Sequence, residues 1–303
     1  MSGIDEINRC LLGKIACGMN QQREVIESLR DVEFRAYSQF GEDGIIDWLI
    51  HWVKPEQNSF VEFGVENYTE ANTRFLLMNR NWRGLIMDGS KQHMDQIRTE
   101  HLYWRQDLTS KEAFITKENI NGLLEEEGMS GDLGLLSIDI DGNDYWVLKE
   151  ITNTRAAILC MEYNPIFGDV HEITVPYHPA FSRFDLHHSG LCFGSSIQAL
   201  IREAKAKGYE FVGTCSNGIN AFFVREDLFD RVDSRITDKR MWPGLHRDSR
   251  DEKGQLTFVG GKDRLDLLAK CKVWDCVGET ERELGSFPDP FSESWLAQMG
   301  GKV

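Results

Sequence analysis

Short apolar runs alternate along most of the chain with segments of helical periodicity. Apolar runs of about four to eight residues that end at turn residues predict buried strands, and apolar residues three or four positions apart predict helices. The predicted strands are 59–63, 84–88, 111–116, a run from 135 to about 138, 156–162, 209–213 and 221–224. Helices are predicted within 4–34, from Ser38, from Asn72 and Thr73, over 118–127 and over 195–207.

The order of these elements predicts the fold class. Strand and helix alternate five times, and a Ser216-Asn217-Gly218 turn then joins the last two strands as a hairpin. This order predicts a doubly wound α/β sheet with an antiparallel edge. Three parts of the chain follow: an N-terminal helical segment at 1–36, the α/β domain at 37–228 and a C-terminal appendage at 229–303. The N-terminal helices would cover the sheet or pair with a second subunit.

Composition and charge narrow the function classes. The 303 residues are 41% hydrophobic and 27% charged, and the formal net charge is −15. An acidic protein is repelled by nucleic acid and by anionic membranes, so we expect neither as a partner. No apolar run reaches the ~18 residues of a membrane span, and the first residues lack the features of a signal peptide. The seven scattered cysteines contain no Cys-x-x-Cys pair, which predicts reduced thiols in a cytoplasmic protein.

An acidic cluster follows the strand that begins at residue 135. Asp139, Asp141 and Asp144 fall within six positions, where the carboxyl end of a strand would place a ligand. The cluster has three interpretations: a solvated loop that caps the next helix, a calcium loop, or part of an active site. A calcium loop needs Gly where Asp144 stands and a helix before it, so the second interpretation fails.

Acidic residues also end the fifth predicted strand. Glu162 is its last residue, and Asn164 follows two positions later. Neighbouring strands lie ~4.8 Å apart, so these oxygens and those of Asp139 and Asp141 would converge. All-oxygen ligation suits Mg²⁺ or Mn²⁺. The metal-free alternative is that Asp139 and Glu162 hydrogen-bond a cofactor ammonium group and loop amides.

The loop after the first strand indicates the cofactor. Phosphate-binding loops need several glycines, and here only Gly64 is present, between Glu62 and Glu66. Together with Asp88 at the end of the second strand, these carboxylates would repel a pyrophosphate. They would attract a cofactor that carries a sulfonium and an ammonium group. S-adenosylmethionine has both, and its ribose diol suits Asp88; a generic nucleotide-binding fold remains the alternative.

Several segments resemble the FkbM-like S-adenosylmethionine-dependent methyltransferases. The resemblance covers about residues 37–226 and rests on 38–43, 60–66 with 72–73, 82–88, 136–142, 162–165 and 218–225. It implies a seven-stranded class I methyltransferase fold and activity on sugars, polyketides or surface-glycan precursors. It also implies a cofactor site made of Gln39, Glu62, Gly64, Glu66, Asn72, Thr73, Asp88, Thr116, Asn119 and Asp139, with Thr116 and Asn119 near the adenine. The Asp139 and Glu162 pair is similar to that of metal-dependent sugar O-methyltransferases.

A general base for methyl transfer needs a pKa near neutrality, which histidine supplies. Four of the eight histidines lie between the fifth strand and the next helix, where a segment that covers the substrate is common. His187 and His188 directly precede the turn at 190–194 and are the preferred candidates, alongside Asp139.

The sequence therefore predicts a cytoplasmic S-adenosylmethionine-dependent methyltransferase that acts on an oxygen of a carbohydrate or related biosynthetic intermediate, with or without a divalent metal. The substrate would be a small molecule or glycan precursor, and a homo-oligomer is left open. Two alternatives come from other classes: a metal-dependent hydrolase or phosphatase built on the Asp139–Asp144 cluster, and a non-catalytic partner subunit that keeps the fold.

Overall fold

The computed structural model of the chain describes residues 3–244 and 248–299. The strands of this part are β1 Ser59–Phe63, β2 Arg83–Asp88, β3 Leu108–Glu112, β4 Gly131–Ile138, β5 Thr154–Glu162, β6 Ile173–Thr174, β7 Tyr209–Thr214, β8 Asn220–Arg225, β9 Lys272–Asp275 and β10 Thr280–Glu283.

The helices surround these strands. The α-helices of the described ranges are α1 Gly3–Asn20, α2 Glu42–Val53, α3 Arg74–Arg80, α4 Lys91–Thr99, α5 His101–Arg105, α6 Ile120–Glu126, α7 Asp144–Glu150, α8 Arg183–Leu186, α9 Ile197–Ala206, α10 Glu226–Phe229, α11 Asp263–Leu267 and α12 Glu293–Gln298. Short 3₁₀ helices are formed by Leu29–Val32, Pro165–Phe167, Asp233–Arg235 and Leu284–Ser286.

A seven-stranded sheet has the order β3-β2-β1-β4-β5-β8-β7. Strands β1 to β5 are parallel to one another, and β8 runs antiparallel to both β5 and β7. The chain therefore places the ends of β1, β2, β4 and β5 at one edge. The predicted seven-stranded, doubly wound α/β sheet with its antiparallel hairpin is confirmed.

Apolar residues fill both faces of this sheet because successive side chains of a strand point to opposite sides. Phe60, Ile86 and Leu135 belong to the core cluster that includes α2 and α3. Val61 and Leu136 belong to the cluster that includes α6, α7 and α9. Burial on both faces explains why these strands read as near-continuous apolar runs.

The third strand begins three residues before its predicted position. Strand β3 is Leu108–Glu112, and it alternates buried and partly exposed residues rather than forming an apolar run. The apolar residues Ala113, Phe114 and Ile115, which favoured a strand at 111–116, continue beyond its carboxyl end. These three residues line the cavity described below, and the sheet does not contain them.

The turn into α2 is held by one carboxylate. Asp43 Oδ2 accepts hydrogen bonds from the backbone N–H groups of Ala36, Tyr37 and Ser38 at 2.7, 2.7 and 2.8 Å. Burial raises the pKa of Asp43 to about 6, although these bonds favour its charged form. The predicted helix start is therefore organised by Asp43 as well as by Ser38.

A second, three-stranded sheet has the order β10-β9-β6. It joins the segment between β5 and α9 to residues beyond 229, and Val175 and Ile173 share a core cluster with Leu268, Val273 and Leu284. This pairing brings residues 248–264 beside the carboxyl edge of the main sheet.

The N-terminal helix α1 packs on α2 and α3. Gly13 permits this contact, since a Cβ there would lie 2.5 Å from the Phe75 ring. The remaining face exposes apolar side chains: Ile7, Leu11, Leu12, Ile15 and Met19. In the part of the chain that the structure describes, no helix has both the length and the apolar character to span a bilayer.

Candidate active site

A cavity of about 680 Å³ lies at the carboxyl edge of the main sheet. This volume falls in the range of ligand and cofactor sites. The predicted site residues in its wall are Gln39, Glu62, Gly64, Glu66, Asn72, Asp88, Asp139, Asp141, Glu162 and Asn164. The predicted residues Thr73, Thr116, Asn119, His187 and His188 do not line it.

Glu62, near the end of β1, connects the strand to the start of α3. Its Oε1 accepts the N–H of Asn72 at 2.8 Å, and its Oε2 accepts the N–H of Thr73 at 3.0 Å and the Thr73 hydroxyl. Burial raises the pKa of Glu62 to about 7, and these hydrogen bonds oppose the shift. Thr73 therefore does not line the cavity itself, but it bonds to Glu62, which does.

Gly64 brings the β1 loop into contact with the end of β4. Its φ of +73° lies in the left-handed region, and a Cβ on it would lie 1.6 Å from the Asp139 carbonyl oxygen. Glu66 and Tyr68 also have positive φ, at +46° and +60°. Only glycine allows this close approach, so the loop takes its path from Gly64.

Asp88 ends β2 and fixes the same loop. Its Oδ2 accepts the N–H of Glu66 at 2.9 Å, and its Oδ1 accepts the N–H of Ser90 at 2.7 Å. The His93 Nδ1 atom lies 3.7 Å from Asp88 Oδ1. The carboxylate thus orders the backbone and still faces the cavity.

The wall beyond Asp88 is formed by Ala113, Phe114 and Ile115. Thr116 and Asn119 support it from outside, because Asn119 Oδ1 accepts the Thr116 N–H at 2.8 Å and Asn119 Nδ2 donates to the Phe114 carbonyl at 2.9 Å. Phe114 lines the cavity and is 56% exposed. The cavity wall here is therefore formed by the apolar residues that precede Thr116, and not by the predicted residues Thr116 and Asn119.

Asp139 and Glu162 form a pair of adjacent carboxyl groups at the ends of β4 and β5. Desolvation, and then the charges of Asp141 and Asp144, raise the pKa of Asp139 well above its usual range. Desolvation, and then the charge of Asp139, raise the pKa of Glu162 in the same way. Two adjacent carboxyls in this environment are harder to ionise together than either would be alone.

The other acids of the predicted cluster are already bonded. Asp144 is buried, and its carboxylate accepts the N–H groups of Ile140 and Gly142 at 2.8 and 2.9 Å. Asp141 is 56% exposed and forms an ion pair with Arg183 at 2.9 Å. Asp144 therefore holds the loop between β4 and α7 from a buried position. It differs from the solvated helix cap of the first interpretation, because no side chain of the described residues caps α7.

Asn164 is also committed to structure. Its Oδ1 accepts the N–H of Ile166 at 3.0 Å, and its Nδ2 donates to the carbonyls of Leu191 and Phe193 at 2.9 Å each. Within residues 3–244 and 248–299, no group of three or more His, Cys, Asp or Glu side chains is arranged to hold a metal. The predicted metal set of Asp139, Asp141, Glu162 and Asn164 does not fit a metal ion, because two members are bonded elsewhere.

Two further segments contribute to the cavity wall. The segment between β5 and α9, where a segment that covers the substrate was expected, contributes Phe181, Arg183, Phe184, Ser189, Gly190, Leu191 and Phe193. The other, which sequence reasoning did not assign to a site, contributes Asp248, Arg250 and Arg264. The 229–303 range lacks periodicity, so no pattern marked its cavity residues. We call this wall, together with the ends of β4, β5 and β8, the acceptor half, and the wall at the ends of β1 to β3 the cofactor half.

The two candidate histidines pack together behind the acceptor half. Their ring centroids are 4.2 Å apart, and His187 Nδ1 bonds to the Ser189 hydroxyl at 2.7 Å. Burial, and then the neighbouring His188, lower the pKa of His187. Their neighbours Ser189, Gly190 and Leu191 line the cavity instead.

No protein-family model and no curated protein matches the chain. Among solved structures, it resembles the CurJ carbon methyltransferase, with 9% identity over 62% of this chain and 55% of that chain and a TM-score of 0.38. It also resembles the N-terminal domain of EvdMO1 with SAH bound, with 11% identity over 70% of this chain and 93% of that chain and a TM-score of 0.40. A third similar structure is a putative O-methyltransferase from Klebsiella pneumoniae, with 16% identity over 59% of this chain and 78% of that chain and a TM-score of 0.37. The chain spans about half the length of CurJ. These resemblances are remote, and the functional proposal below rests on the cavity itself.

Gly64→Ala should destabilise the protein by at least about 2 kcal/mol, because the methyl group meets the Asp139 carbonyl and the residue must keep a left-handed φ. Urea unfolding measures the change. The control is Gly122→Ala in α6, where a Cβ has open space and alanine favours the helix. Equal stability of Gly64→Ala and the parent would contradict the close approach of the two loops.

Glu62→Gln should remove a pH dependence of stability. The pKa of Glu62 rises from 4.5 to about 7 on folding, so its contribution to the free energy of unfolding is full below pH 4.5 and is lost as the pH rises through about 7. The free energy of unfolding of the parent, relative to that of the variant, should fall by about 1.4 kcal/mol for each pH unit between pH 4.5 and about 7. Urea unfolding at several pH values tests this, with the exposed Glu150→Gln as control, and a constant difference would refute the shift.

Proposed function

We propose that the protein is an S-adenosylmethionine-dependent methyltransferase that acts on an oxygen of a carbohydrate or a related biosynthetic intermediate. The observation that carries the proposal is the charge of the cofactor half. Among the described residues that line it, Glu62, Glu66, Glu70 and Asp88 are acidic, and none is lysine or arginine. A cationic cofactor complements this surface, and a pyrophosphate does not.

The shape of the cofactor half suits the same molecule. Asp88 faces the cavity where a ribose diol would be held, and Phe114 offers an apolar surface to a base. Gly64 leaves the loop between these carboxylates and Asp139 free of a side chain. S-adenosylmethionine supplies an electrophilic methyl group on a sulfonium, which needs alignment with the acceptor rather than covalent help from the protein.

The acceptor half supplies a proton-accepting group. Asp139 lines the cavity next to Gly64, and burial raises its pKa above the usual range, which makes its carboxylate a stronger base. We assign it as the base that takes the proton from the acceptor hydroxyl, with Glu162 holding its orientation. His187 and His188 remain rival bases, although they lie outside the cavity wall.

The hydrolase alternative draws no support from the acidic cluster. Its metal would need Asp139, Asp141 and Asp144 together, and Asp144 is bonded to the loop backbone while Asp141 is paired with Arg183. A non-catalytic subunit would keep the cavity and its acids, so binding and transfer must be measured separately.

Asp88→Asn should weaken binding of S-adenosylhomocysteine by about tenfold or more, because the amide loses the charge and one acceptor beside the cofactor. Isothermal titration calorimetry measures the affinity, and the exposed Asp107→Asn is the matched control. The parent should show no heat with NAD⁺, whose pyrophosphate meets the same carboxylates. If the parent fails to bind S-adenosylhomocysteine, the proposed function is wrong.

Asp139→Asn should lower the rate of methyl transfer by about 100-fold, the usual contribution of a general base, and leave S-adenosylhomocysteine affinity within a few fold. A labelled-methyl assay on a panel of sugars and their biosynthetic precursors measures the rate. His187→Ala and His188→Ala are the comparison variants, and we expect each to keep the parent rate within about threefold. A large loss in either histidine variant with full activity in Asp139→Asn would transfer the role to that histidine.

A further inference from the structure

Three buried side-chain oxygens in the acceptor half receive no hydrogen bond from any described residue. They are Asn143 Oδ1, Glu162 Oε2 and Asn220 Oδ1. Asn143 and Asn220 are each only 3% exposed, and all three residues line the cavity. Buried acceptors are rarely left without a donor, so atoms of this kind in a cavity wall point to a ligand.

The orientation of each asparagine side-chain amide follows from the hydrogen bond that its nitrogen donates. Asn143 Nδ2 donates to the His178 carbonyl at 2.8 Å, and Asn220 Nδ2 donates to the Glu42 carboxylate at 3.2 Å. Both partners can only accept, so each amide must present its nitrogen to them, and its oxygen is the atom left without a donor. The two asparagines therefore act as fixed hydrogen-bond acceptors.

The three oxygens come from adjacent strands. Glu162 is the last residue of β5 and pairs directly with Asn220, the first residue of β8. Asn143 lies in the loop that follows β4, the other neighbour of β5. Side chains of directly paired residues lie within about 5 Å of each other, so Glu162 and Asn220 can contact one small ligand together.

We propose that Asn143, Glu162 and Asn220 form a subsite that recognises hydrogen-bond donors on one face of the methyl acceptor. The subsite selects acceptors with two or more neighbouring hydroxyl or ammonium groups and discriminates against those that lack them, because a missing donor leaves a buried oxygen unpaired. The inference rests on the proposed function in assigning these residues to the acceptor. Position supports that assignment, since β4, β5 and β8 lie on the side of the cavity away from β2 and β3.

The test uses neutral six-membered rings that differ in the number of hydroxyl groups: cyclohexanol, cis-1,2-cyclohexanediol and myo-inositol. Ligand-observed NMR titrations give the affinities with and without saturating S-adenosylhomocysteine. We expect the diol and the inositol to bind at least about tenfold more tightly than cyclohexanol. cis-2-Aminocyclohexanol distinguishes an ammonium donor from a hydroxyl donor, and cyclohexanecarboxylate should bind no better than cyclohexanol.

Asn220→Leu removes one acceptor at nearly constant volume, and Asn143→Ser provides a second, milder change. Each should lower the ratio of diol to cyclohexanol affinity by about fivefold to tenfold and leave cyclohexanol binding unchanged. The exposed Asn58→Ala, at the start of β1, should keep the parent ratio. Thermal unfolding and S-adenosylhomocysteine binding establish that each variant is folded.

Two results would overturn the subsite. In one, the parent binds the diol no better than cyclohexanol, or both variants keep the parent ratio. In the other, Asn220→Leu and Asn143→Ser lose S-adenosylhomocysteine affinity by the same factor, which would assign the oxygens to the cofactor. Failure of the parent to bind S-adenosylhomocysteine refutes the proposed function alone, because the titrations without it still report the hydroxyl preference.

Discussion

The rest of the site depends on the hydrogen bonds that the Glu62 carboxylate accepts. A strand end and a helix start must meet at the centre of the sheet, and both leave polar backbone groups in an apolar environment. Glu62 satisfies the N–H groups of Asn72 and Thr73, and Asn72 in turn bonds the Ser137 hydroxyl of β4 at 3.1 Å. Strands β1 and β4 and helix α3 are thereby joined at one point. The loop from Gly64 to Ala71 can then cross the sheet edge without regular structure of its own.

The acids at the strand ends do different work, although they look alike in the sequence. Asp43 and Asp144 accept backbone N–H groups and hold turns, and Asp88 orders a loop while facing the cavity. Asp139 and Glu162 lie next to each other and share the same desolvated surroundings, rather than holding a turn. Proteins stabilise tightly curved backbone with carboxylates because an ionised oxygen accepts several N–H groups at once. A dense acidic sequence near a sheet edge therefore indicates turns at least as often as metal ligands, and here the turns account for Asp144.

Sequence patterns predicted the sheet and its hairpin because burial on both faces makes each inner strand a distinct apolar run. They failed at β3, where the strand itself alternates and the apolar residues belong to the cavity beyond it. They placed Glu62, Gly64 and Asp88 in one cavity, since the end of a parallel strand fixes position without any knowledge of side-chain contacts. They could not show that Asn164 and Thr73 face other protein groups, because this depends on where Ile166, Leu191 and Glu62 lie in space. Asn143 and Asn220 carry no sequence signal, since an asparagine in a turn or at a strand end is common and only the direction of its amide distinguishes it.

The walls of the cavity come from separate stretches of the chain. The cofactor half is built by residues between Gln39 and Ile115, whereas much of the acceptor half is built by 181–193 and 248–264. These two stretches meet directly where the Arg250 N–H donates to the Ser189 carbonyl at 3.2 Å. The chain on either side of them pairs through β6 and β9, outside the seven-stranded sheet. Mutational drift in them can thus reshape what enters the cavity without disturbing the sheet edge beneath. Related proteins could therefore differ in the molecules that they admit to the cavity through changes in these two stretches alone, while the residues at the sheet edge stayed the same.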